Sequence, residues 1–77
     1  MNHTDPQPAP DQVWLSRYTT GAHVAVTEVD GTRIRLINVT VTPEGDVIAQ
    51  AGRGRWATAG QLCRAYRITE HVLRSAP

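Results

Sequence analysis

Thr58-Ala59-Gly60-Gln61-Leu62-Cys63-Arg64-Ala65-Tyr66-Arg67-Ile68-Thr69-Glu70-His71-Val72-Leu73 decides the fold of this chain. Thr58 and Gln61 have the Thr-x-x-Gln spacing of a capping box, in which two side chains satisfy free backbone N–H groups at a helix start. At about 100° per residue, Leu62, Ala65, Tyr66, Ile68, Thr69, Val72, Leu73 and Ala76 fall in one broad arc. Cys63, Arg64, Arg67, Glu70, His71 and Arg74 fall opposite. The spacing predicts an amphipathic helix over 59–75, ending before Pro77, with Gly60 a small cost in its first turn.

Upstream, the pattern changes to that of strands. Val24, Val26 and Val29 run into Asp30-Gly31, and Ile34, Leu36, Ile37, Val39 and Val41 follow. Asp-Gly between β-rich runs signals a two-residue hairpin loop, because a type I′ turn needs positive φ at both positions. That loop sets Glu28 opposite Arg33, Val26 opposite Arg35 and Val24 opposite Ile37. A second turn reads Thr42-Pro43-Glu44-Gly45-Asp46, with proline opening it and glycine as its left-handed residue. It sets Val41 opposite Val47 and Val39 opposite Ala49. Alternation then gathers Ala22, Val24, Val26, Ile37, Val39 and Val47 on a dry face. Ala25, Ile34, Leu36 and Ile48 form an apolar island on the other face, among polar residues.

Toward the N-terminus, residues 1–10 hold three prolines and almost nothing to bury, which predicts a disordered tail. Residues 11–77 then form a single small domain. Asp11 is placed to cap a helical turn over residues 12–18, and the same residues also read as a short strand. Either way Trp14 and Leu15 dock on the body. The expected fold is α+β: a three-stranded antiparallel meander with a C-terminal amphipathic helix packed on its apolar face. The alternative is a small SH3-like β-barrel, in which 64–68 would be a last strand.

Charge is divided along the chain. Residues 52–77 carry five arginines against Glu70, whereas residues 1–51 carry three arginines against six acids, and there is no lysine. The formal net charge is only +1, so the polarity is local. A cationic end marks a landing surface for an anion. Arg64, Arg67, His71 and Arg74 share one side of the predicted helix, and Arg53 and Arg55 lie in the glycine loop ahead of it. Guanidinium is planar and forked, which suits phosphate, and Trp56 is available to stack on a base. This set predicts nucleic-acid binding in a regulatory accessory factor; the plain alternative is a solvated helix face. A second expectation is a protein-binding adaptor or inhibitor that uses Ile34, Leu36 and Ile48 with Trp14 at their margin, as a homodimer or on a partner protein. Cover of that island by Trp14 and Leu15 competes with it.

Catalysis has little to work with. His3, His23 and His71 are not spaced as metal ligands, and Cys63 has no second cysteine. No serine has an adjacent base, and Gly52-x-Gly54 lacks the lysine ending of a phosphate-binding loop. The expectation is a non-enzymatic module with no cofactor, no metal and no small-molecule substrate. A lone cysteine and the lack of an apolar membrane-length run point to the cytoplasm. Arginine-only basicity with abundant alanine, valine and threonine suggests a GC-rich bacterial or phage origin.

A short helix, three antiparallel strands and a C-terminal helix, with Gly52-Arg53-Gly54 before that helix, resembles the double-stranded-RNA-binding domain. Trp56, Ala57, Thr58 and Ala59 stand where that family carries its lysine pair and the following alanine-lysine. Three strands and a helix are also similar to the DNA-binding arm domain of tyrosine integrases. That family reads DNA with its sheet, and the exposed sheet face expected here has no arginine.

Overall fold

A computed structural model describes residues 7–73. The elements are β1 (Gln12–Ser16), β2 (His23–Asp30), β3 (Arg33–Val41), β4 (Val47–Ala49), β5 (Arg55–Thr58), α1 (Ala59–Ala65) and β6 (Tyr66–Val72). They make one antiparallel sheet of order β4-β3-β2-β1-β6, with β5 pairing β3 beside β4. The sheet curls into a half-barrel. A mixed α+β domain is thus what forms, but a three-stranded meander is too small a description of it.

The deciding stretch divides in two. Its capping box forms as expected: Gln61 N–H donates to Thr58 Oγ1 at 3.1 Å, and Thr58 N–H donates to Gln61 Oε1 at 2.9 Å. The helix then ends at Ala65, and Tyr66 is extended at φ −135°, ψ 159°. The helix expected over 59–75 is therefore corrected: within the described residues, the chain after Ala65 is strand from Tyr66 to Val72, with Leu73 just beyond it. Tyr66, Ile68, Thr69 and Val72 favour pleated backbone, and Tyr66, Ile68 and Val72 also repeat with period 2. β1 decides between the two periods, because its outer edge needs partners for its backbone groups. Trp14 pairs with Ile68 and Ser16 with Tyr66. Arg17 N–H donates to the Ala65 carbonyl at 2.8 Å, and Leu73 N–H to the Asp11 carbonyl at 2.7 Å. The element orders shared with RNA-binding and integrase arm domains fall with the long helix.

At the other end of the chain, residues 12–16 take the strand option. Asp11 adopts φ 73° at the entry to β1 and donates its N–H to the Val26 carbonyl at 2.7 Å. The expected tail falls mostly on residues 1–6, which lie outside the described residues.

The second turn has the register expected: Val41 opposes Val47 and Val39 opposes Ala49, with Gly45 at φ +90°. The first hairpin is shifted. Its loop is Gly31-Thr32, so that Asp30 pairs with Arg33 and Glu28 with Arg35. A loop of Asp30-Gly31 would demand positive φ at an aspartate. With Gly31 first, only the glycine is left-handed, at φ +61°, as a type II′ turn requires. An irregularity between Val26 and Glu28 then sets Val26 opposite Leu36 and Ala25 opposite Ile37. Because side chains alternate with period 2, this odd shift exchanges the faces of β2 relative to β3.

Two apolar clusters result. Trp14, Val24, Val26, Ile34, Leu36 and Leu62 bury together under α1, with Ala57, Cys63 and Tyr66 at their margin. Val13, Ala25 and Val39 bury on the opposite face against Ile37, Val41, Val47 and Leu73. Each large buried side chain contributes about 1.5–3 kcal/mol before ordering entropy. α1 is a plug that carries Leu62 into the first cluster, so its cap matters to the whole domain. Thr58→Ala is expected to lower stability by about 1 kcal/mol, read as a shift in the urea midpoint. An unchanged midpoint would mean the capping box contributes nothing.

Candidate functional site

Tyr66, the first residue of β6, is where separate cationic segments meet. Arg55 on β5 donates from a terminal guanidinium nitrogen to the Tyr66 hydroxyl at 3.0 Å, and from the other to Asn38 Oδ1 at 3.2 Å. Arg17, just beyond β1, donates its Nε to the backbone carbonyls of Tyr66 at 3.1 Å and Cys63 at 3.3 Å. It thereby satisfies carbonyls freed where α1 ends. Arg64 sits in the last turn of α1, Arg67 follows Tyr66 on β6, and Arg53 lies exposed ahead of β5. Tyr18 crosses to the same helix end, its hydroxyl donating to the Arg64 carbonyl at 3.5 Å.

Among the described residues, no carboxylate pairs with any of these arginines; the one ion pair is Arg35 with Glu28, at 3.6 Å. The charge of the basic group is therefore not offset by an ion pair among the described residues. Arginine resists deprotonation and pairs bidentately with phosphate oxygens, so the rim is suited to hold a polyanion.

The expected set is redistributed. Arg53, Arg55, Arg64 and Arg67 lie in a loop, a strand, a helix and a strand in turn and not on a helical stripe; Arg55 reaches Tyr66, whereas Arg67, the next residue on β6, points to the other face of the sheet, opposite Leu15. Trp56 separates from Arg55, because neighbours on a strand point to opposite faces. It opposes Arg35, lies 4.8 Å beneath the Arg33 guanidinium and is 43% exposed. Trp56 thus leaves the Tyr66 group, and Arg33 covers one side of its ring. His71 also leaves it. That histidine lines a cleft of about 480 Å³ with Glu44, Asp46 and Glu70, carboxylates that would repel a phosphate. Its ring is 6.4 Å from that of His23, edge to face. Arg74 lies outside the described residues.

The expected partner patch is corrected as well. Trp14, Ile34 and Leu36 are fully buried in the cluster under α1. The irregularity between Val26 and Glu28 turned Ile34 and Leu36 toward Val24 and Val26, and Trp14 packs with them. Ile48 alone stays outside, 54% exposed on β4.

Arg17 and Tyr18 escaped the sequence reading. They lie 46 to 49 residues from the partners they reach in α1 and β6. No local pattern reports such a contact; the signal available was an Arg-Tyr pair beside a Thr-Thr-Gly turn.

No metal-sized group of three or more His, Cys, Asp or Glu side chains occurs among the described residues. No described helix is long and apolar enough to cross a membrane. Comparison with known proteins finds no matching family model, no matching curated protein and no matching solved structure.

Proposed function

We propose that this chain is a non-enzymatic nucleic-acid-binding module of the cytoplasm, a regulatory accessory factor built on an SH3-like barrel. The barrel reading is supported by the strand order β4-β3-β2-β1-β6 and by a short helix ahead of the last strand. One observation carries the functional reading: Arg17 and Arg55, far apart in sequence, both bond to Tyr66, and neither they nor Arg53, Arg64 and Arg67 in the flanking segments pair with a carboxylate among the described residues. Sequence-independent grip on a phosphate backbone needs cations of this kind and little else. Single strands suit a rim this short, because a flexible chain can follow its curve.

The test is fluorescence anisotropy with labelled single-stranded RNA and DNA oligonucleotides across a salt series. Three or four phosphate contacts, at about 0.7 released counterions each, give a log–log slope of about −2 to −3. Binding that ignores salt, or none at low ionic strength, overturns the proposal.

A further inference from the structure

The geometry points to one phosphate-binding cleft within that rim, between the β1–β2 loop and the start of β6, which takes a single nucleotide unit of a strand. This rests on the nucleic-acid reading and names where a unit of the strand is held. The cleft encloses about 410 Å³ and is lined by Ser16, Arg17, Tyr18, Thr20 and Arg67 among others, with no carboxylate in its wall.

Arg17 is fixed there by its Nε alone, held between the Cys63 and Tyr66 carbonyls. Its two terminal nitrogens have no hydrogen-bond partner among the described residues, so an oriented fork faces outward. Arg67 enters from the neighbouring strand, opposite Leu15, and likewise makes no ion pair or hydrogen bond through its side chain among the described residues. Two unpaired guanidinium groups on one cleft form a site for a phosphate's oxygens.

The loop that frames the cleft is built in advance. Ser16 Oγ accepts the N–H groups of Tyr18 at 3.1 Å and Thr19 at 3.0 Å. Ser16 N–H donates to the Ala22 carbonyl at 2.8 Å, and Gly21 takes φ +78° to complete the turn. A ligand therefore meets little ordering cost there. Tyr18 supplies the rest of the recognition. Tyr18 is 81% exposed as a residue, yet its hydroxyl is tethered to α1, which leaves an aromatic side chain beside the phosphate position for a base to stack on. Phosphate and ring together describe a nucleotide.

The test is amide chemical-shift mapping of the ¹⁵N-labelled chain with inorganic phosphate, a nucleoside monophosphate and a ten-nucleotide single strand, repeated on Arg67→Gln and Tyr18→Ala. Both positions are exposed, and both variants are expected to fold. The single strand is expected to move the amides of residues 16–21 and Arg67, and each substitution is expected to weaken its binding about tenfold. Oligonucleotide binding that moves other amides and is unaltered in both variants overturns the cleft while leaving the rim. Shifts in the cleft with phosphate but none with the oligonucleotide overturn the nucleic-acid source of the ligand and, with it, the rim's proposed role.

Discussion

Leu36→Asp is expected to unfold the domain, while Ile48→Asp leaves it folded and at unchanged solution mass. Leu36 is 2% exposed and packs against Trp14, Val24, Val26, Ile34 and Leu62. Removing the leucine side chain forfeits about 2–5 kcal/mol. The aspartate then brings a charge with no partner into an apolar cluster, and its desolvation adds several kcal/mol unless it protonates. A domain of this size is stable by roughly 4–11 kcal/mol in total, so the substitution removes most or all of it. Ile48 is 54% exposed on the short edge strand β4, where a carboxylate stays in water. Circular dichroism and a urea titration of the two variants separate the cases. A folded Leu36→Asp variant that only changes mass would return Leu36 to a surface and refute the two-cluster core.

That contrast also marks what the sequence could carry. The second turn was legible because proline and glycine each have one favourable place in it, and β3 and β4 pair as those residues demand. The capping box was legible for the same local reason. Register in the first hairpin was not, because Asp30-Gly31 and Gly31-Thr32 differ by a single residue. Both put Gly31 at positive φ; only the second spares Asp30. Moving the loop by one residue shifts the pairing by two and keeps the faces; the odd step is the irregularity between Val26 and Glu28, and it moved Ile34 and Leu36 from a presumed surface into the core. Residues 66–72 were ambiguous for a deeper reason. Their apolar positions satisfy period 3.6 and, in part, period 2, and the free edge of β1 lies more than fifty residues away. A local pattern cannot include that partner. The same distance hid Arg17, whose role depends on where α1 ends. Arg53, Arg55, Arg64 and Arg67 have no carboxylate partner among the described residues, although the helix meant to align Arg64 and Arg67 stops at Ala65.

Replacing Arg17, Arg55 and Arg67 together by glutamate is expected to abolish oligonucleotide binding at moderate salt. Each lost phosphate contact removes a counterion-release contribution, and each introduced carboxylate repels the strand. The loss is expected to be at least about a hundredfold, with the log–log salt slope falling from about −2 to −3 toward zero. Net charge alone cannot be the cause if a matched control keeps binding. Arg33 with Arg35 supplies one, because both lie on the β3 face beside Trp56, away from the Tyr66 rim; Arg35 is already paired with Glu28. Arg33→Glu with Arg35→Glu shifts the net charge by four of the triple variant's six units, yet is expected to leave most of the affinity and most of the slope. Arg17 and Arg55 also bond to the fold, so the triple variant must first be shown folded by its amide spectrum. Should it fail that check, Arg67→Glu alone carries the comparison, since its side chain holds no partner among the described residues. Equal losses from rim and control would assign the attraction to overall charge, and the rim around Tyr66 would then be a solvated surface with no ligand of its own.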